Sequence, residues 1–290
     1  MLQWHHAGGD FLIQNLLLAG GDQRMAWAGR LLVQEGFTVT HLRGGYDECW
    51  RENVACAEAL LLPYPYSVKE GKIPGWEHGG EGIETILKCL NPQSLLFVGA
   101  DDGSVQNAAK ELGIQWIRYS DDPLFAQRNA EISAEAAVFE AMKRGQGMLD
   151  EKNVLVLGYG LFAKAIVWRL KALGARVWVA ARRQKSRIAA AQDGAQAICF
   201  EQVVQIAPLM QLVMNTVPSV VLGPLELSMF PEETLLMELA SPPYGIQLSA
   251  AVDLEKNVVV LPGLPGRYAP LSAAKALKDM VVRQLKEVKA

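Results

Sequence analysis

The sequence has 290 residues, of which 50% are hydrophobic and 20% are charged, with a formal net charge of −3. This length accommodates two α/β domains with sizeable cores, and the charge balance provides no electrostatic footprint for nucleic acid. The four cysteines lack the spacing of a zinc site or a disulfide framework, so we predict no metal. Residues 1–21 lack the features of a signal peptide and no apolar run is long enough to cross a membrane, so we expect a cytoplasmic protein.

The first 120 residues alternate between short apolar strands and helical segments, which predicts a parallel sheet. Residues 1–14 contain His5 and His6 beside two glycines, and we predict a ragged N-terminal extension rather than a metal site. The predicted strands of this first half are residues 15–19, 39–42, 59–62, 94–100 and 114–119.

Polar residues follow two of these predicted strands. Arg24 comes after a glycine turn, and Tyr64 and Ser67 come after the strand at 59–62. Ligands of open α/β sheets bind outside the carboxyl ends of strands, which predicts that these residues contact a substrate. A surface arginine beside a tight turn explains Arg24 equally well. His78 lies in a glycine-rich loop and is a candidate acid or base, although a lone loop histidine is more often simply solvated.

The predicted domain junction follows, with a crossing at residues 121–127 and then Asn129. We predict a helix that begins with Ser133 as its N-cap and ends near Arg144. Glu135 then lies in the first turn, where the helix dipole favours a carboxylate. These structural roles are sufficient to explain both residues.

The most specific motif lies in residues 153–183, where a buried strand is followed by a glycine turn, a helix and a second strand. Gly158, Gly160 and Ala163 have the spacing of the G-x-G-x-x-G/A fingerprint. The first glycine makes the tight turn, the second lets the backbone approach a pyrophosphate, and Ala163 keeps helix and strand close. The helix start offers free N–H groups to phosphates. We therefore favour a dinucleotide site over a purely structural βαβ unit, formed by Gly158, Tyr159, Gly160, Leu161, Phe162 and Ala163.

The end of the second strand of this unit indicates which dinucleotide binds. An NAD site usually has an acidic residue there for the ribose hydroxyls, whereas this chain has Ala181, Arg182 and Arg183, with Lys185 close behind. Two guanidinium groups suit a 2′-phosphate. The pattern predicts NADP rather than NAD, and a solvated basic helix start is the alternative.

Further strands are predicted at residues 197–200, 212–215, 235–240 and 258–261. Asn215, Thr216, Val217 and Pro218 end one of them at the same sheet edge as Gly158, where they are predicted to cover the cofactor; a simple turn before proline is the alternative. After the last strand, residues 262–267 are predicted to form a rigid turn from which Arg267 clamps a carboxylate, or is merely exposed.

These elements predict two Rossmann-like, doubly wound parallel-sheet domains with a cleft between them. Residues 1–128 form the first, substrate or assembly domain, and the final helix at 270–290 packs back onto it. Residues 129–269 form the NADP-binding domain.

The chain resembles the family of dipicolinate synthase A subunits along nearly its whole length after residue 16. The resemblance rests on the order and spacing of several short pieces: GGDQR at 20–24, the strand ending at Pro63, SAE at 133–135, VLVLGYG at 154–160, ARR at 181–183, NTVP at 215–218, LAS at 239–241, LPGLPG at 261–266 and AP at 269–270.

The resemblance implies an NAD(P)-dependent oxidoreductase subunit of sporulating bacteria, on a branch of the lysine pathway. It would form dipicolinate from dihydrodipicolinate or 4-hydroxy-tetrahydrodipicolinate together with a second, flavoprotein-like subunit, and would itself be oligomeric. It also implies two sets of site residues. The candidate general bases are Ser133, Glu135, His78 and Tyr64. The candidate substrate-binding residues are Arg24, Ser67, Asn129, Gly263, Pro265, Arg267 and Ser272.

The chain departs from the family pattern at several positions. Pro242 and Leu271 stand where the family has lysines, Tyr244 replaces a glycine, Gln247 replaces an acidic residue and Ile132 replaces a proline. Two cations suited to a dicarboxylate are therefore absent. This keeps two alternatives open: an NADP-binding regulatory or scaffold subunit without catalysis, and a related 2-oxo or imino acid dehydrogenase.

Overall fold

The computed structural model describes residues 3–4, 13–45, 47–64, 72–77, 81–99, 103–145 and 147–287. The predicted site residues Ser67 and His78, and the pair His5 and His6, lie outside these residues. The chain divides into two compact units. Unit 1 comprises Met1–Asn129 and Pro265–Ala290, and unit 2 comprises Ala130–Leu264.

Unit 1 contains a six-stranded sheet of order β1-β3-β2-β4-β5-β6. Five of its strands are parallel, and their order is one of the two common doubly wound arrangements. The strands are β1 (Gln3–Trp4), β2 (Asn15–Ala19), β3 (Thr38–Leu42), β4 (Ala59–Leu61), β5 (Leu95–Val98) and β6 (Gln115–Arg118).

The edge strand β1 was not predicted. It pairs antiparallel with β3, with Gln3 opposite Thr40 and Trp4 opposite Val39. The prediction of a ragged extension is therefore wrong for these two residues. Two residues are too few to show the alternation by which a strand is recognised in a sequence.

Helices cover both faces of the unit 1 sheet, since side chains that alternate along each strand enter two separate cores. Leu16 and Leu18 of β2 pack in one core, and Leu17 and Ala19 pack in the other. The helices are α1 (Gln23–Gln34), α2 (Trp50–Ala55), α3 (Ile83–Cys89), α4 (Ser104–Glu111), α5 (Pro123–Arg144, which continues into unit 2), α11 (Leu264–Tyr268, which begins at the last residue of unit 2) and α12 (Pro270–Glu287). The apolar face of α12 joins the core that contains α1.

Unit 2 contains a second six-stranded sheet, of order β12-β11-β10-β7-β8-β9, and all its strands are parallel. This is the strand order of a dinucleotide-binding sheet, in which β7 begins the first half and β10 begins the second. The prediction of two doubly wound parallel-sheet domains is thus confirmed. The elements are β7 (Asn153–Leu157), α6 (Leu161–Ala172), β8 (Arg176–Ala180), α7 (Gln184–Gln192), β9 (Gln196–Ile198), α8 (Val203–Ile206), β10 (Leu212–Asn215), α9 (Pro224–Ser228), β11 (Leu235–Glu238), α10 (Leu248–Asp253) and β12 (Val258–Val260).

The start of α5 differs from its prediction. The helix begins at Pro123 rather than near Ser133, and the Phe125 amide donates to Asp122 Oδ1 at 2.7 Å. An aspartate followed by proline is a strong N-terminal signal, because the carboxylate accepts from the free amides and proline needs none. Ser133 is consequently buried in the interior of the helix and is not its cap.

Several helices of seven residues or fewer were also missed. Among them is α11, which occupies the segment predicted as a rigid turn at residues 262–267. A helix of fewer than two turns shows no 3.6-residue periodicity in the sequence. Among the described residues, no helix combines the length and the apolar character that a bilayer crossing requires.

Asp122 also joins α5 to α12, since Arg283 Nη2 lies 2.7 Å from both carboxylate oxygens. Partial burial raises the pKa of Asp122, but the bonds from Arg283 and the Phe125 amide, with the charge of Arg283, outweigh burial and hold the pKa below its ordinary value. The stabilisation by this carboxylate is therefore present above its unfolded-state pKa and is lost as pH falls through the folded-state pKa.

We expect Asp122→Ala to lower the free energy of unfolding at neutral pH by about 2 kcal/mol, because it removes both the cap and the ion pair. Asp122→Asn retains a capping oxygen and should cost about 1 kcal/mol. Urea unfolding at neutral pH and at about pH 3 checks this. The loss of unfolding free energy in the asparagine variant should be smaller in acid. A penalty unchanged by pH would contradict a role for the carboxylate charge.

Candidate functional site

The turn after β7 requires glycine at its first position. Gly158 has φ 92°, and its amide donates to Ala180 O at 2.9 Å. A Cβ at Gly158 would lie 2.7 Å from Thr216 Oγ1 and 2.9 Å from Val217 Cγ2. Both the backbone conformation and the neighbouring turn therefore exclude a side chain.

Gly160 is different, because its backbone is extended (φ −84°) and a Cβ there would meet no protein atom within 4 Å. Gly160 is the N-cap of α6, and the first helical bond runs from Lys164 N to Gly160 O. The amides of residues 161–163 therefore have no partner within the helix, and the helix dipole adds partial positive charge. Open space beside unpaired amides fits a phosphate group.

The rest of this turn splits between exposed and buried side chains. Leu161 is exposed and Phe162 is half-buried, whereas Ala163 is fully buried against the sheet together with Ile166 and Val167. A larger residue in place of Ala163 would separate the helix from the strand. Close packing of helix and strand is the role of this position in the fingerprint.

The Tyr159 side chain is engaged with Asp193 at the end of α7. Its ring is buried and its hydroxyl donates to Asp193 Oδ2 at 2.5 Å. Burial and the adjacent Asp193 carboxylate raise the pKa of Tyr159 far above its ordinary value, so the phenol stays protonated. The predicted cofactor contact of Tyr159 is therefore limited to its backbone, and its side chain anchors the turn to the end of α7.

The segment after β8 presents three cations. Ala181 is buried, whereas Arg182, Arg183 and Lys185 are exposed and make no ion pair or side-chain hydrogen bond with the part of the chain that the structure describes. Their backbone is held by Arg187, whose Nη1 donates to Ala181 O at 2.9 Å and to Arg182 O at 2.7 Å. Arg187 was missed because a bond to main-chain carbonyls leaves no sequence motif.

The turn after β10 adjoins the glycine turn, as the parallel register requires. Thr216 donates twice to Leu157 O, from its amide at 3.1 Å and from Oγ1 at 2.7 Å. Asn215 is fully buried, and its amide nitrogen donates to Glu238. The expectation that the Asn215 side chain covers a cofactor is therefore corrected: it lies beneath the turn, and half-buried Thr216 and Val217 and exposed Pro218 form its surface.

In unit 1, Arg24 is nearly buried, with 7% of its surface exposed, so the alternative of a surface arginine is wrong. Its Nε and Nη2 pair with Asp22, the latter at 2.7 Å from Oδ2. Asp22 is the N-cap of α1 and accepts from Arg24 N. Gly266 lies directly against this pair, because a Cβ there would be 2.7 Å from Arg24 Nε. Gly266 and Asp22 complete the cluster and were not predicted.

Tyr64 and Asn129 lie beside Arg24 and line a small cavity with it and with three apolar side chains, Phe125, Ala273 and Leu277. Asn129 Nδ2 is 3.5 Å from the Tyr64 hydroxyl. Burial raises the pKa of Tyr64, and the charge of Arg24 opposes this only in part. Tyr64 is therefore protonated at neutral pH and suited to donate a proton or a hydrogen bond, not to act as a base.

The remaining predicted substrate residues lie near α11 and α12. Gly263 is exposed with φ 66°, Pro265 is buried within α11, and Ser272 is exposed in the first turn of α12. Arg267 is also exposed, and its guanidinium lies 5.5 Å from the centre of the Tyr268 ring. Of the residues in α11, it is Gly266 that lies against the Arg24 guanidinium.

Ser133 and Glu135 cannot both face one site. They are two residues apart on α5, which places them on opposite sides of the helix. Ser133 is buried, whereas the Glu135 side chain is 71% exposed and accepts from Arg169 Nη2 at 3.0 Å. The structure thus accounts for Glu135 as a surface ion pair of unit 2.

The chain is similar to one protein-family model, to a relative of known name and to solved structures. Residues 148–223 match the model of the acetohydroxy acid isomeroreductase NADPH-binding domain. The chain is 26% identical over 287 residues to the dipicolinate synthase A subunit of Bacillus subtilis, covering 95% of this chain and 97% of that protein. The crystal structure of the same subunit from Bacillus halodurans matches with a TM-score of 0.83 at 23% identity, over 94% of this chain and 97% of that one. The crystal structure of the Bacillus subtilis protein matches with a TM-score of 0.82 at 22% identity, over 95% and 97%.

The resemblance to the dipicolinate synthase A subunit is therefore confirmed over nearly the whole chain. The structural likeness by itself establishes the fold. The match of residues 148–223, which include the glycine turn, is to an NADPH-binding domain, and together with the relative this supports an NAD(P)-binding, oxidoreductase-like protein.

Proposed function

We propose that this chain is an NADP-dependent oxidoreductase subunit of the dipicolinate synthase type. The observation that carries the choice of NADP is the exposed pair Arg182 and Arg183 at the carboxyl end of β8, where an NAD site has an acidic residue. Neither guanidinium is engaged with another described side chain, so both are available to a 2′-phosphate.

The residues around the glycine turn suit the rest of such a cofactor. The free amides of residues 161–163 face the open space beside Gly160, which fits the pyrophosphate. Thr216 and Val217 line the neighbouring turn. When bound, the oxidised nicotinamide accepts a hydride from the substrate.

For the substrate we propose a cyclic dicarboxylate, dihydrodipicolinate or its 4-hydroxy-tetrahydro form. A carboxylate in a sheltered site needs a cation or several hydrogen-bond donors. Arg24, Tyr64 and Asn129 supply these from one small region of unit 1. Arg24 Nη1 makes no hydrogen bond with the described residues and is free to donate, and Tyr64 is protonated and donates as well.

The resemblance also supports a partner. The Bacillus subtilis relative is named as one subunit of a synthase, which indicates an assembly in that system. We propose that this chain likewise acts with a second, flavoprotein-like subunit, in the cytoplasm of a sporulating cell.

A second candidate is a protein that binds NADP without catalysis, as a regulatory or scaffold component. Two observations favour it. Pro242 and Leu271 replace the lysines of the family, and the Arg24 charge is already offset by Asp22. Both features weaken the attraction for a second carboxylate.

The test is a titration of the purified chain with NADPH, followed by turnover with NADP and dihydrodipicolinate. We expect fluorescence enhancement on binding and then the rise of NADPH absorbance, alone or after addition of a second subunit. Binding without turnover in either case selects the non-catalytic candidate. Absence of NADPH binding contradicts both.

A further inference from the structure

Glu238 is a buried carboxyl group for which the proposed chemistry has no use. It is the last residue of β11 and has no exposed surface. Its Oε1 accepts from Asn215 Nδ2 at 2.7 Å and from Ala240 N at 2.9 Å. Its Oε2 accepts from Asn215 Nδ2 at 2.9 Å, Gly245 N at 2.9 Å and Ile246 N at 2.8 Å. Both oxygens are thus surrounded by donors, and no described cation pairs with them.

These bonds join two loops at the carboxyl ends of neighbouring strands. Asn215 completes the turn after β10, because its side chain also bonds both the amide and the carbonyl of Val217, each at 3.0 Å. Glu238 holds the loop after β11, residues 239–246, through three main-chain amides. The Asn215–Glu238 pair therefore makes the two loops one connected structure.

The two loops are also packed without space between them. A Cβ at Gly245 would lie 2.4 Å from Asn215 Nδ2 and 2.5 Å from Val217 O. The amides of Val221 and Leu222 both donate to Gly245 O, at 2.8 and 3.0 Å. A displacement of the loop after β11 must therefore move the turn after β10.

The strand order places this connected structure in the second half of the sheet. A doubly wound dinucleotide sheet has two mononucleotide-binding halves. Here β7, β8 and β9 form the half with the glycine turn and the basic pair, which takes the adenosine end. The loops after β10 and β11 belong to the other half, which under the proposed function receives the nicotinamide end.

Resting on the proposed function, we infer that Glu238 and Asn215 are positioning residues of the nicotinamide subsite and not of the adenosine subsite. Neither side chain is exposed, so both act through the loops that they hold. Loss of the pair should loosen the nicotinamide end. It should leave in place the glycine turn, which Ala180 and Asp193 hold, and the basic segment, which Arg187 holds.

Glu238→Gln tests this, because the new amide group must face either Ala240 N–H or the amides of Gly245 and Ile246, opposing donor to donor. The measurement compares NADPH with adenosine 2′,5′-bisphosphate, which has the 2′-phosphate but no nicotinamide. We expect NADPH affinity to fall by about tenfold or more and affinity for the bisphosphate to change less than about twofold.

Thr234→Val is the matched control. Thr234 is buried just before the opposite end of β11, where Oγ1 donates to Met210 O at 2.7 Å. The valine substitution removes a buried hydrogen bond just before the same strand. We expect the protein to lose stability while the ratio of its affinities for NADPH and the bisphosphate stays unchanged. If Glu238→Gln does not fold, Gly245→Ala displaces the same loop by the contacts given above, and the same change in ratio is expected.

Equal losses for both ligands, or no loss for either, would overturn the inference. It is also overturned if the unaltered protein binds NADPH no more tightly than the bisphosphate, since the nicotinamide end then contributes nothing. Failure of the unaltered protein to bind either ligand instead overturns the proposed function itself, so the two failures are distinguishable.

Discussion

Replacing Gly160 by valine is expected to abolish dinucleotide binding and to leave unit 2 folded. The structure separates these two effects, because a Cβ at Gly160 meets no protein atom within 4 Å. Its backbone angle of φ −84° is open to any residue. The space that the valine side chain fills is the space that a pyrophosphate needs to reach the amides of residues 161–163.

The valine substitution is expected to change stability much less than it changes NADPH affinity. At the N-cap, valine in place of glycine should destabilise the protein by about 1 kcal/mol. Exclusion of the pyrophosphate should weaken NADPH binding by at least about a hundredfold, equivalent to about 2.7 kcal/mol. Fluorescence titration with NADPH measures the second effect and urea unfolding measures the first.

Gly158→Ala provides the contrast. Gly158 has φ 92°, and its Cβ would meet Thr216 and Val217, so this variant should lose stability as well as binding. Gly160→Ala should fall between the glycine and valine proteins in affinity. A valine variant that binds NADPH as the unaltered protein does would show that the pyrophosphate lies elsewhere.

The glycine turn was predictable because its signals are local. Strand, glycine spacing, helix and second strand follow one another within residues 153–183, and each constrains the next. The predicted start of α5 was wrong because the local signals conflict in that segment. Two capping signals compete there, and Asp122 with Pro123 prevails over Ser133 because the longer helix buries more apolar surface, including Phe125 and Ile132.

Other parts of the candidate sites depend on contacts between distant residues and had no local signal. Gly266 is in contact with Arg24 across most of the sequence, and Glu238 binds Asn215 from a neighbouring strand. Gly266 lies in the LPGLPG piece, but nothing in that piece indicates a contact with Arg24, and Glu238 lies in none of the predicted motifs. Strand order had to be known before these pairs could be recognised, because parallel neighbours bring their carboxyl ends together only once they are placed in the sheet.

The second large effect concerns the choice between the two coenzymes. Replacing Arg182 and Arg183 together by alanine should weaken NADPH binding by about 30- to 1,000-fold, since each charge-assisted bond to the 2′-phosphate contributes about 1.5–3 kcal/mol and the two overlap. NADH has no 2′-phosphate, so its affinity should change less than about threefold. The comparison of the two dissociation constants in the same variant is the measurement.

The fold of the loop should survive this double substitution. Arg187 binds the carbonyls of residues 181 and 182, and those carbonyls remain when the side chains are shortened. Arg176→Ala is the matched control, because Arg176 lies at the opposite end of β8 and its nearest carboxylate, that of Glu151, is 3.9 Å away. The Arg176 substitution removes a positive charge from the far end of the strand that leads to the basic pair. It should leave the affinities for NADPH and NADH unchanged. An equal loss for NADPH and NADH in the double variant would mean that the basic pair supports the loop or the adenine rather than the 2′-phosphate, and the assignment of NADP would then have to be abandoned.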